Sequence, residues 1–139
     1  MFRTMILCLP LVIGVSGTAT AQGMSLGQYE FQNSCAICHG MDAKGDGDFA
    51  QVLKARPPDL TLLQKGNGGV FPVQRMYTTI VGSEIIKSHG TREMPIWGPR
   101  FAERTASSAD YPFSSEESAE YARGRILALI EYISTLQTN

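Results

Sequence analysis

The chain has three cysteines and two histidines, and three of these five residues occupy consecutive ground in Cys35-Ala36-Ile37-Cys38-His39. That crowding constrains the fold more than any composition figure, because it ties two thiols and an imidazole to one short piece of backbone. A disulfide, a dithiol redox pair, part of a zinc ligand set and the covalent anchor of a prosthetic group are the chemistries that use such a cluster. The rest of the sequence decides among them.

The N-terminus sets the compartment. Arg3 provides a positive start, residues 5–15 are uncharged and mostly apolar, and the run ends in small residues at Ala19-Thr20-Ala21. This is the pattern of a signal peptide over residues 1–21, cleaved near Ala21, with the mature domain at 22–139. The apolar run falls short of the roughly 20 residues of a membrane span. The alternative is that the segment is retained as an anchor. Cys8 sits at the front of the apolar run, where a lipid-attachment cysteine is not expected, and leaves with the signal peptide. Export to an oxidising compartment, the periplasm, makes a plain Cys35–Cys38 disulfide the reading that a more specific one has to beat.

The formal net charge of the full chain is −1, and removal of Arg3 makes the mature chain slightly more acidic. Such a balance excludes a nucleic-acid binder and a polybasic membrane anchor. The length suits one domain with one modest core, which a large buried cofactor would help to complete.

Along the mature chain the spacing predicts a short helix over 25–34 leading into the cysteines, with Leu26, Tyr29 and Phe31 as its bulky members. From 40 to 69 the chain is rich in turn chemistry ("GMDAKGDG", "RPPDL", "KGNGG"), leaving room for one short helix at 49–54. Val73, Met76, Tyr77 and Ile80 recover helical spacing over 72–81, with Gly82 just beyond. Residues 82–111 read as irregular, with at most a helical turn at 83–87. Ser114-x-x-Glu117 is a capping box, and Ala122, Ile126, Leu129, Ile130, Ile133 and Leu136 form one apolar stripe behind it. The expected fold is all-α, about three main helices joined by long loops. Loops of that length in so small a domain make sense when they wrap a large apolar group.

Cys-x-x-Cys-His is the attachment motif of c-type haem. Two thiols three residues apart reach two vinyl groups on one porphyrin edge, and the following histidine lies where it can bind iron from the proximal side. A thioredoxin-like pair wants a strand before the motif, and here a helix precedes it. A zinc site wants a second cysteine pair. A disulfide leaves His39 without a role.

With that motif, the chain resembles the small monohaem class I cytochromes c. The resemblance extends over most of residues 22–139 and rests on "CAICHG", on "RPPDLT" at 56–61 and on "REMPIWG" at 92–98. Gly27 and Phe31, set against Tyr132, resemble the family's crossing of its terminal helices. The resemblance implies one covalently bound haem c, with Cys35 and Cys38 as its thioether anchors and His39 and Met94 as the iron ligands. It implies that the Pro58 or Pro57 carbonyl accepts the proximal imidazole N–H, and that Arg56 and Trp97 bond the propionates. The stretch 101–113 departs from the pattern as a longer connection than the shortest members have. Met76, on the apolar face of the 72–81 helix, is one rival sixth ligand, though core packing explains its place. The stronger rival is His89, five residues before Met94. Against it, Met94 offers an uncharged thioether in an apolar wall of Pro95, Ile96 and Trp97, where a titrating imidazole costs more to desolvate.

Iron with both axial positions filled transfers electrons and does not open for substrate. The expected function is a periplasmic one-electron carrier between larger redox proteins, with no nucleic acid and no small-molecule substrate as partner, touching membranes only through those partners. Two alternatives stay open. One is a haem enzyme or gas-binding protein with a labile sixth ligand. The other is a fixed electron-transfer subunit of an oxidoreductase complex.

Overall fold

The first helix, α1 (Leu26–Ser34), starts where the Ser25 hydroxyl accepts the Gln28 N–H at 3.1 Å. That bond satisfies one of the donors a helix start leaves open. The computed structural model describes residues 23–82, 94–108 and 114–138. The signal segment expected at 1–21, the turn expected at 83–87 and His89 lie outside the described residues. Gly27, Glu30, Phe31 and Ser34 form the buried face of α1, while Leu26 and Tyr29 are exposed. Of the three bulky residues expected to matter, Phe31 alone enters the core.

Cys35 ends α1 and caps a single helical turn, α2 (Ala36–His39). Three short 3₁₀ segments follow, at Asp48–Val52, Leu60–Leu62 and Lys65–Asn67. The helix expected at 49–54 is the first of these, tighter and shifted toward the N-terminus. Next comes α3 (Val73–Val81), with Met76 and Ile80 buried, Tyr77 half-buried and Val73 exposed. Gly82 closes it in the left-handed region at φ 87°.

One expectation needs correction. Residues 98–108, read as irregular and as part of a long connection, form α4 (Gly98–Ser108). Pro99 stands in its first turn, where no N–H is needed, and the Trp97 carbonyl accepts the Phe101 N–H at 3.0 Å. Phe101 is fully buried and α4 packs mainly on the last helix. That docking sustains a helix whose only large apolar residue is Phe101.

The last helix, α5 (Ser115–Thr135), has its capping box formed on both sides: Glu117 N–H to Ser114 Oγ at 3.2 Å, and Ser114 N–H to Glu117 Oε2 at 2.8 Å. Of the predicted stripe, Ala122, Ile126, Leu129, Ile130 and Ile133 are buried and Leu136 is half-buried. The helix meets α1 where a Cβ on Gly27 would overlap the Ala128 carbonyl and the Tyr132 side chain. Only glycine permits that approach. Beside it the Phe31 and Tyr132 rings lie 5.5 Å apart, centroid to centroid, in tilted contact.

Among the described residues every regular element is helical, so the fold is all-α, with five α-helices in place of about three. No described helix is long and apolar enough to cross a membrane.

Candidate functional site

The cysteine cluster is held by backbone bonds on both sides. Cys35 N–H donates to Phe31 O at 2.9 Å, ending α1, while its own carbonyl accepts from Cys38 N–H at 3.1 Å and His39 N–H at 2.9 Å. One residue thus joins two helical segments and places Cys35 and Cys38 one turn apart. Both thiols are free; Cys35 is buried and Cys38 half-exposed.

Burial disfavours charge on both thiols and on the imidazole. Burial pushes the Cys35 thiol up to about 12, with the Glu30 carboxylate and Cys38 adding to the effect. Burial also raises Cys38. A dithiol redox centre relies on the opposite shift, toward thiolate. Burial lowers the His39 pKa, and the hydrogen bond to Pro58 partly offsets this. The imidazole is therefore neutral at pH 7.

His39 Nδ1 lies 3.3 Å from the Pro58 carbonyl oxygen. A carbonyl accepts only, so Nδ1 carries the proton and Nε2 keeps the lone pair. The sequence left Pro57 and Pro58 as equals. In the structure the Pro57 carbonyl is turned instead toward Gly45, so closely that a Cβ there would overlap it. Gly45 adopts φ 77°, a conformation that glycine takes without strain. Its N–H donates to the His39 carbonyl at 2.8 Å, and its own carbonyl accepts Arg56 Nε–H at 3.2 Å. Leu60 N–H donates to the Ala43 carbonyl at 2.8 Å. The loop after the histidine and the proline segment are thereby laced together, with Arg56 as an exposed strut between them.

Met94 and Trp97 come from another part of the chain. Trp97 N–H donates to the Ile80 carbonyl at 3.1 Å, which ties the segment to the end of α3. Both side chains are half-buried and pack against the same core that contains Cys35, Met76, Ile80 and Phe101. Pro95 and Ile96 are exposed, so the apolar wall expected around Met94 is built by Trp97 and the core and not by its immediate neighbours. The Arg100 guanidinium lies 5.1 Å from the Trp97 ring centroid, stacked over its face. The structure thus joins Cys35, Cys38, His39, Pro58 and Arg56 through direct bonds and shared turns, and sets Met94 and Trp97 against the core that also contains Cys35.

Three features escaped the sequence reading. Arg100 over Trp97 depends on α4, which was not foreseen. The fully buried Glu30 pairs with Arg125 of α5. Its signal was present: Glu30 shares a face with Gly27, Phe31 and Ser34, as Arg125 does with Ala122, Ile126 and Leu129. Gln137, past the end of α5, bonds to the 60–64 segment and had no signal at all.

Comparison with family models, with curated proteins and with solved structures gives no match to this chain.

Proposed function

We propose that the chain is a periplasmic one-electron carrier of class I cytochrome c type, holding a single covalent haem c and working between larger redox proteins. The observation that carries this reading is the His39 Nδ1–Pro58 carbonyl contact at 3.3 Å, directly after two free thiols one turn apart. A buried, neutral histidine with Nδ1 engaged and Nε2 available is the donor that haem iron requires.

The residues fit the group. Cys35 and Cys38, protonated and in apolar surroundings, suit thioether formation with the haem vinyl groups better than thiolate chemistry. Haem c, when bound, supplies an iron centre that exchanges one electron. His39 is oriented by Pro58, and the hydrogen bond raises the basicity of its ring. Met94, half-buried against the core, offers a thioether that needs no desolvation of charge. Phe31, Leu60, Met76, Ile80 and Phe101 exclude water from the interior these donors share. Arg56, with only its Nε on the Gly45 carbonyl, and Trp97 are the residues we assign to the propionates.

The test is direct. Periplasmic protein from cells with a haem-attachment system should keep haem staining after denaturing electrophoresis and show a mass increased by one haem. Quantitative extraction of haem into acidified organic solvent would sink the reading. Uptake of carbon monoxide by the ferrous protein would move it toward a gas-binding or enzymatic role.

A further inference from the structure

We propose that Gln137 is a positioning residue for His39, acting from the C-terminal end of α5 through the 58–64 segment; this rests on the haem reading above. Its carboxamide makes three hydrogen bonds. The oxygen accepts the Gln64 N–H at 2.9 Å, and the nitrogen donates to Leu60 O at 2.8 Å and Ile133 O at 2.9 Å. Beside it, Thr138 N–H donates to Thr61 O at 2.9 Å. The 60–64 segment is therefore held at both ends by the residues that follow α5.

Pro58, two residues before that segment, carries the carbonyl that orients the imidazole. Pro57 and Pro58 have no N–H, so neither can anchor itself by donating a bond. The Pro58 carbonyl takes its position from its neighbours. On one side Pro57 rests on Gly45. On the other, Leu60 N–H bonds Ala43 O at 2.8 Å, and the Asp59 carboxylate accepts the Thr61 N–H at 2.8 Å. Leu60 is where the two sets of anchors meet: its N–H faces the histidine loop and its C=O faces Gln137. Leu60 and Thr61 are buried, so water does not readily replace a lost partner there. The Pro58–His39 contact of 3.3 Å is already long for an N–H···O bond, whose usual limit is about 3.2 Å. A small outward movement of the segment breaks it. The ring then loses electron density, ferric iron is stabilised less, and the reduction potential rises.

The experiment compares haem-loaded full-length wild type with Gln137→Met, which keeps the length and removes the polar bonds. Ile126→Val serves as the control, a buried change in α5 about 13 Å along the helix from its last residue, Thr135. Haem content and absorption spectrum come first: a wild type without covalent haem brings down the functional reading, and this inference with it. Given covalent haem, Gln137→Met should raise the midpoint potential and speed exchange of the His39 Nδ1 proton several-fold, while Ile126→Val leaves both at wild-type values. If Gln137→Met behaves like Ile126→Val in both, the inference is overturned and the functional reading stands. Wild type alone decides if the variant does not accumulate. The Gln64 amide and the His39 Nδ1 proton should exchange through one common opening, and a Nδ1 proton that persists long after the Gln64 amide has exchanged overturns the proposal.

Discussion

Glu30, fully buried on α1, accepts both Nε–H and Nη2–H of Arg125 on α5 at 2.6 Å, five residues before the first cysteine of the cluster. The Tyr121 ring, 5.5 Å from the guanidinium, covers Arg125 further. A charge pair in such a place gains less than its geometry suggests, because both groups leave water to form it. Its value lies in register. It sits beside the Gly27 crossing and limits how α1, and with it Cys35, can slide along α5.

Breaking the pair from one side should therefore be severe. Arg125→Met is expected to destabilise the haem-loaded protein by about 3–5 kcal/mol, since it leaves a buried carboxylate uncompensated. The double variant Glu30→Leu, Arg125→Met should recover most of that loss. Denaturant unfolding of the three proteins measures both, and a double variant as unstable as the single one would refute the desolvation argument.

The helix crossing makes its own prediction. Gly27→Ala places a methyl group against the Ala128 carbonyl and the Tyr132 side chain, so the helices must separate. Overpacking of this kind costs about 1–3 kcal/mol. Loss of the Phe31–Tyr132 contact, read in the near-ultraviolet circular dichroism, should accompany the fall in melting temperature.

The sixth ligand is open to spectroscopy. The ferric protein should show the weak far-red sulfur-to-iron band. Met94→His should abolish that band and lower the potential, because imidazole favours ferric iron more than thioether does. His89→Ala should leave both nearly unchanged. A spectrum that collapses in His89→Ala would transfer the ligand role to His89.

Acid should act on the start of α5. The Glu117 carboxyl is held below its ordinary value, first by the Ser114 backbone N–H and then by the Ser114 hydroxyl. A lowered folded-state pKa contributes stability that is fully present above the ordinary carboxylate range and is lost as pH falls through the lowered value. Ser114→Ala should cost about 0.5–2 kcal/mol at neutral pH, where the cap is intact. The stability difference between wild type and Glu117→Gln should shrink as pH falls through the lowered Glu117 value, as followed by melting temperature against pH; a constant difference would exclude Glu117 as the titrating group.

How far local sequence reaches is clearest at the two ends of the site. The cysteine spacing, the Ser114 capping box and the apolar stripe of α5 are each set by residues within a turn or two of one another, and each appears as expected. The glycine at the α1–α5 crossing was legible only through the family resemblance of Gly27 and Phe31 set against Tyr132. What needed the tertiary structure are the relationships between distant segments. The helical state of 98–108 depends on Phe101 docking against α5, because one large apolar residue in eleven does not declare a buried face. The sequence alone also left the carbonyl that meets His39 as either of two adjacent prolines. Carbonyls of neighbouring residues in extended backbone point to different sides, so only one can face the imidazole. The packing of Pro57 on Gly45 selects Pro58. Burial of Glu30 and the bonds of Gln137 to 60–64 follow the same rule: a side chain's partner across the fold is chosen by packing, and no local pattern encodes it.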